Sequence, residues 1–302
     1  MSSSYSFAFT NNNKYLDDPT HGRIDYDYTS TDLFGTFVFG TSYPLEKKDK
    51  ITKKTSRYFT PELQFRYSPN DSLDISGNGT ELSYNSAFSF NRIGSSETHE
   101  GGRSVTLGTR YSILDENERD YLNVKLANVL RDKKNPKLPT LGKLDQTRTD
   151  IVGELEFNPN DIFNLNYQFS LDRDLDYSNY DYIQTKFNFD KFTSKFNYIT
   201  RNHEGGNSES VSNNTIYEIN DESTLTFNTG RDLLTDFTEY YNLVYQYETD
   251  CMIASFNYSR KFYRDENLLP ENTLFFYVRF IPFVELFGSA NQTLEQLQEQ
   301  LN

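Results

Sequence analysis

Tyr58-Phe59-Thr60-Pro61-Glu62-Leu63-Gln64-Phe65-Arg66-Tyr67-Ser68 alternates with a period of two. Phe59, Pro61, Leu63, Phe65 and Tyr67 fall on one side, and Thr60, Glu62, Gln64, Arg66 and Ser68 on the other. Successive side chains of a strand point to opposite faces, so this pattern predicts a strand with one oily and one wet face. The pattern recurs outward along the chain. Leu82, Tyr84, Ser86, Phe88 and Phe90 interleave with Ser83, Asn85, Ala87 and Ser89, which predicts a strand over 82–90. Phe163 to Leu171, Phe237 to Tyr247 and Met252 to Tyr258 behave the same way. These runs are longer than the roughly 5–6 residues of a typical soluble strand, and match the roughly 9–11 that a tilted membrane strand needs.

Composition agrees with that reading. Only 35% of the 302 residues are apolar, yet there are 23 Tyr and 25 Phe with no Trp. Few aliphatics and many rings suit strands belted by aromatics at the membrane interfaces. No stretch approaches the roughly 20 apolar residues of a membrane helix. The net charge of −14 argues against nucleic acid as a partner, because no basic stretch is dense enough to follow phosphates. Met1-Ser2-Ser3-Ser4 runs directly into the alternating Tyr5 to Phe9, without a basic start or apolar core of a signal peptide. The expectation is a chain that begins partway through a longer precursor.

Counting segments gives about sixteen strands, an even number as single-chain bacterial barrels require. Connections alternate in length. Tight turns fall at Asn158 to Asp161, Asp190-Lys191, Asn220-Asp221 and around Thr249-Asp250, and longer polar loops at Asp172 to Asn179, Asn202 to Ser210 and Arg264 to Glu271. Asn and Asp bond their own backbone and tolerate left-handed geometry, which suits the tight ends. Short ends are expected at the periplasm and long ends outside. The parity holds back to the loop from Arg131 to Thr147, but Pro69 to Thr80 then becomes a long connection on the periplasmic side. The fold expected is therefore all-β, a transmembrane antiparallel barrel occupying residues 1–283. The last strand, Asn272 to Phe283, carries Leu274, Phe276, Val278, Phe280 and a terminal Phe283, with Pro282 weakening its pairing. Residues 284–302 form a short polar tail with helical spacing at Leu294, Leu297 and Leu301.

Three stretches resemble the C-terminal barrel of the LptD family, the outer-membrane lipopolysaccharide-assembly protein once called organic solvent tolerance protein. The first is Tyr58 to Pro69, with Pro61 and Arg66. The second is Asn85 to Arg92 (NSAFSFNR, with Asn91 and Arg92) followed by Glu100-Gly101-Gly102-Arg103 through Tyr111, the most specific of the three. The third is Tyr245 to Cys251, then Tyr258-Ser259-Arg260, Phe262-Tyr263 and Asp265. The resemblance is clearest over 58–283. Two departures stand out: about sixteen strands supply only part of that family's large barrel, and its N-terminal periplasmic jellyroll is absent. The expectation is a C-terminal fragment or split product.

The resemblance implies a component of the lipopolysaccharide translocon, integral to the bacterial outer membrane. Lipopolysaccharide would arrive from periplasmic bridge proteins and leave through a lateral gate into membrane lipids, with a plug lipoprotein in the lumen. Leu274, Phe276, Val278, Phe280, Pro282 and Phe283 would form one side of that gate. Cys251 is the chain's one cysteine, and turn parity puts it at an oxidising periplasmic turn. The resemblance implies that it pairs with a cysteine near the N-terminal periplasmic domain. Asp250-Cys251 stands where many relatives carry two adjacent cysteines, which leaves one bridge.

No catalytic, metal or cofactor constellation is legible, so an enzyme is not expected. His21, His99 and His203 lie in polar loops at no ligand spacing. Asp172, Asp174 and Asp176 lack the Gly and Glu of a calcium loop. Gly101-Gly102 reads as a loop-to-strand hinge, not a phosphate cradle, because no helix follows. A passive outer-membrane porin and a soluble β-rich binding or adhesin module are the alternatives.

Overall fold

In the computed structural model, β4 (Ser56–Ser68), which carries the alternating run from Tyr58, has the polarity of a soluble strand turned inside out. Phe59 and Phe65 are 45% and 38% exposed, whereas Arg66 is 2% exposed and Gln64 and Ser68 are buried beside it. Water would penalise that arrangement, since burying apolar surface drives folding and burying charge opposes it. It is the arrangement of a strand whose oily side meets lipid.

The structure describes residues 1–16, 28–48, 56–76, 81–93, 98–202, 206–262 and 269–280. Before β4 come β1 (Ser2–Leu16), β2 (Tyr28–Ser42) and β3 (Leu45–Lys48). After it come α1 (Tyr84–Ala87), β5 (Gly102–Leu114), β6 (Asp120–Arg131), β7 (Ile151–Phe157), β8 (Phe163–Leu171) and β9 (Ser178–Phe189). The rest are β10 (Phe192–Arg201), β11 (Ser208–Asn220), β12 (Ser223–Asp232), β13 (Phe237–Thr249), β14 (Met252–Lys261) and β15 (Glu271–Phe280). All fifteen join one sheet in chain order, with β3 set off the path beside β4. β2 and β3 pair successive parts of β4, Ser42 opposite Glu62 and Leu45 opposite Phe59. Pro44, which has no N–H to donate, falls at the break between them.

Two compact units divide the chain: residues 1–185 with 198–208, and residues 186–197 with 209–302. In the second unit, register lines up the apolar side chains in rows. Leu225 faces Tyr245, which faces Phe256, which faces Phe276; Phe227, Leu243, Tyr258 and Leu274 make the next row. Cross-strand aromatic and aliphatic pairs of this kind each add a few tenths to about 1 kcal/mol. Most of these rings are more than a third exposed, which marks the face as one that meets a non-aqueous solvent.

The expected strand over 82–90 is not there. Between β4 and β5 the described residues 69–76, 81–93 and 98–101 hold only the four-residue helix α1, and Ser83 caps it by exchanging hydrogen bonds with Ser86. Removing that strand also removes the parity mismatch. The connection from β4 to β5 becomes long, the connection from β5 to β6 is the short Asp115–Arg119 turn, and from β4 onward long and short ends alternate. The turn expected at Asn220-Asp221 sits one residue later, at Asp221-Glu222. Pro282, Phe283 and the tail 284–302 lie outside the described residues, as do His21, His203, Tyr263 and Asp265.

Leu243→Arg on the apolar face should cost about 2–4 kcal/mol of stability in lipid vesicles, as arginine does near a bilayer midplane. Gln246→Arg, on the other face of the same strand, should cost at most about 0.5 kcal/mol. Urea unfolding of the two variants in vesicles measures the difference, and equal losses would place both faces in the same solvent.

Candidate functional site: a segment folded onto the polar face

The first unit shows what covers a polar strand face that does not meet lipid. Leu82, Tyr84 and Ala87 pack against Ala127 and Val129 of β6 and Val152 of β7, with Phe88 at the margin. Tyr84, Ala87 and Phe88 stand at i, i+3 and i+4, so a single helical turn presents all three to the sheet. Beneath Phe88 lies Gly108 of β5, where a Cβ would fall 2.5 Å from the ring. Only glycine leaves room for the segment to come so close. A second small core joins Ile93 to Leu138 and Leu144 of the β6–β7 loop, with Ile75 against them.

Polar side chains of β4 and β5 hold the segment's backbone. Gln64 Nε2 donates to the Phe88 carbonyl (2.6 Å), Arg66 Nε to the Phe90 carbonyl (3.3 Å), and Thr106 Oγ1 to the Ala87 carbonyl (3.1 Å). A chain with few regular elements carries many unpaired carbonyls, and buried ones must find donors. The wet face of the sheet supplies them.

The centre of the arrangement is Glu100. Its Oε1 accepts from Arg92 Nη1 (2.6 Å) and from Arg131 Nη1, and Arg66 Nη1 lies 3.9 Å away. All four side chains are buried. Arg92 spends its remaining donors on the Ala87 carbonyl (3.0 Å), Ser104 Oγ (3.0 Å) and Thr106 Oγ1 (3.0 Å), while Arg131 Nη2 reaches the Gly101 carbonyl (2.8 Å). Burial pushes the Glu100 carboxyl up, but Arg92, Arg66 and Arg131 together outweigh it and hold the group down at about 2. Burial also lowers Arg92, against the pull of Glu100. Next to it, His99 stacks on Phe34 (4.2 Å between ring centroids) and its Nε2 meets Ser68 Oγ at 2.9 Å. Burial, reinforced by Arg66, lowers the imidazole to about 4, so it is neutral at ordinary pH.

The two glycines after Glu100 stand where the loop enters β5, and both are tightly placed. A Cβ on Gly101 would fall 2.1 Å from the Asn70 carbonyl oxygen, and Gly102 sits at φ +92°. Both features exclude side chains. Asn91 shapes the approach, its Oδ1 accepting from Ile93 N (3.0 Å) and Thr98 Oγ1 (3.2 Å). Of the residues singled out from sequence, Arg66, Asn91, Arg92, Glu100, Gly101 and Gly102 therefore converge. Pro61 lies farther along β4, opposite Thr109. Arg260 belongs to the second unit, 4.8 Å from the Phe262 ring centroid. Cys251 occupies the exposed two-residue turn between β13 and β14. Sequence reasoning missed Arg131, Gln64 and Tyr84, and it passed over His99 as an ordinary loop residue. The serine pair at 83 and 86, followed by apolar residues at helical spacing, was the available signal. Among the described residues no group of three or more His, Cys, Asp or Glu is placed to hold a metal.

A sheet with an exposed apolar face, and a polar face roofed by the chain's own loops, is the wall of an outer-membrane β-barrel. The profile of the LptD family, described as LPS transport system D, matches residues 4–230, and the chain belongs to that family. The match takes in the first fifty residues and ends short of the stretch from Tyr245. The protein is an integral β-barrel of the bacterial outer membrane. No curated protein matches the chain. Among solved structures, a mutant porin of Rh. blastica aligns at 13% identity over 92% of this chain and 99% of that chain, with a TM-score of 0.33. The siderophore receptor PirA of Acinetobacter baumannii aligns at 8% identity over 91% of this chain and 52% of that chain, with a TM-score of 0.38. Scores so low carry no argument about function.

Glu100→Gln should free residues 69–101 for proteolysis, because three buried guanidiniums lose their counter-charge, at a cost of about 3–5 kcal/mol. Acid should act in two windows. His99, depressed from 6.5 to about 4, stabilises the fold above pH 6.5 and loses that contribution as pH falls toward 4. Glu100, depressed from 4.5 to about 2, loses its contribution only below 4.5. Limited proteolysis across pH reads both, and full protection at pH 4 would contradict the assignment of His99.

Proposed function

We propose that this chain forms part of the barrel that delivers lipopolysaccharide to the outer leaflet of the outer membrane. The match to the LPS transport family over residues 4–230 is the observation that carries the proposal. Two features of the wall support it. An amphiphile with a sugar head and acyl tails needs a polar route beside an exit into lipid, and the strands provide opposed faces of those two characters. The second feature is β15. It stands at the end of the strand order, and Leu274 and Phe276 on it are 65% and 67% exposed.

In this reading β15 is one side of a lateral gate, with Leu274, Phe276, Val278 and Phe280 facing the departing acyl chains. Pro282 and Phe283, which follow β15 in sequence, lie outside the described residues; a proline has no N–H to donate, so Pro282 would weaken strand pairing wherever it falls on the seam. Lipopolysaccharide is supplied by periplasmic bridge proteins, and a plug lipoprotein occupies the lumen. The chain acts as a conduit, and no bond of the substrate is made or broken.

A disulfide engineered between Val278→Cys and a cysteine on the strand that closes against β15 tests the gate. In living cells the locked barrel should lose lipopolysaccharide surface display, and a reductant should restore it. Normal display with the lock confirmed on a gel would rule the gate out.

A further inference from the structure

Two neighbouring cavities in the first unit, about 190 and 320 Å³, share one side chain, Glu81. The smaller one is lined by the rings of Tyr84, Phe169 and Tyr180 together with Glu154 and Gln168. The larger is lined by the amides of Asn179, Asn202 and Asn207 together with Lys143, Tyr177 and Leu141. The larger lies within the roughly 300–1,000 Å³ typical of small-molecule sites. The larger is lined mainly by the long β6–β7, β8–β9 and β10–β11 connections, and the smaller lies between the β4–β5 connection and strands β7, β8 and β9; the long connections mark the end of the wall expected outside the cell.

The lining is held in place beforehand. Asn179 Nδ2 donates to the buried Asp150 Oδ2 (2.6 Å), and Asn202 donates from Nδ2 to the Ser178 carbonyl (3.0 Å) and from its backbone N to the Asn179 carbonyl (2.8 Å). The end of the Phe169 ring reaches over Gly153, where a Cβ would fall 2.3 Å from its Cζ. Arg201 sits 3.9 Å from Glu81 and 5.4 Å from the centre of the Tyr180 ring, joining the two cavities' side chains. Burial raises the Glu81 carboxyl, against the opposing charge of Arg201.

The chemistry selects among ligands. Arg201 is paired with Glu81, the neighbouring Lys125 with Glu154, and Lys143 lies within electrostatic reach of Asp150, so no surplus of cations invites a phosphate. No three carboxylates converge on a cation among the described residues. Rings that cover C–H faces, beside amides and carboxylates that pair with adjacent hydroxyls, suit an uncharged, hydroxyl-rich molecule. We propose that the paired cavities around Glu81 bind uncharged sugar residues of a glycan as it passes the outer end of the wall. The source of that glycan, the saccharide part of lipopolysaccharide, rests on the function proposed above.

The test uses the purified chain in a zwitterionic detergent, since sugar-based detergents would compete. The probe is core oligosaccharide of lipopolysaccharide, stripped of acyl chains and phosphate, titrated by calorimetry. The chain should bind it, and Glu81→Gln and Tyr180→Ala should each weaken binding about tenfold, the loss expected for one hydrogen bond to a charged group. Glu81→Gln keeps the shape of the site, so it decides the matter if Tyr180→Ala does not fold. Absent binding, equal binding by the variants, or displacement by inorganic phosphate would overturn the proposal. Absent binding alongside gate-dependent surface display would overturn this site and leave the transport reading standing. Glu81-dependent binding in a protein whose locked gate leaves display unchanged would do the reverse.

Discussion

One buried carboxylate organises the first half of this wall. Glu100 draws together Arg66 from β4, Arg92 from the in-folded segment and Arg131 from the end of β6, three groups far apart in sequence. Burying a charge costs several kcal/mol unless it is paired and hydrogen-bonded. None of the four groups is stable in place without the others, so the segment has one docked position rather than many. Hydrophobic contacts at Leu82, Tyr84 and Ala87 supply adhesion, but they are non-directional. The guanidinium cluster supplies register.

The docked segment matters because a membrane strand has two solvents. The lipid side needs no partner, and rows such as Leu225–Tyr245–Phe256–Phe276 satisfy it directly. The other side must be wet, or roofed by groups that answer its donors. In the first unit the roof is the chain's own β4–β5 connection, and its edge leaves the cavities beside Glu81. In the second unit amide and hydroxyl pairs such as Asn213 with Ser194 (3.0 Å) and Asn197 with Ser212 (3.2 Å) link neighbouring polar side chains. A polar route for a sugar head and an apolar exit for acyl chains are thus two faces of the same strands.

Much of this was legible in the residues. Period-two alternation with aromatic faces marked β4, β8, β13 and β14, because strand faces repeat locally and need no tertiary information. The EGG block pointed to Glu100, Gly101 and Gly102 through the resemblance. The error over 82–90 has a physical cause. Leu82, Tyr84, Phe88 and Phe90 alternate well enough for a strand, but Tyr84, Ala87 and Phe88 also fit one helical turn. Short apolar runs do not distinguish the two periods. What decided was tertiary: a polar face requiring cover, with Gly108 leaving room for a ring. Arg131 was illegible for the same reason, since its value lies in a partner thirty-one residues away.

Hydrogen exchange of the amides of residues 82–93, in lipid nanodiscs at neutral pH, tests most directly whether the segment is locked onto the wall. Protection approaching that of β5 is the result a locked segment gives, with Arg92→Met lowering it in the segment while β5 stays protected. Rapid, loop-like exchange of 82–93 in the unaltered protein beside a fully protected β5 would contradict it.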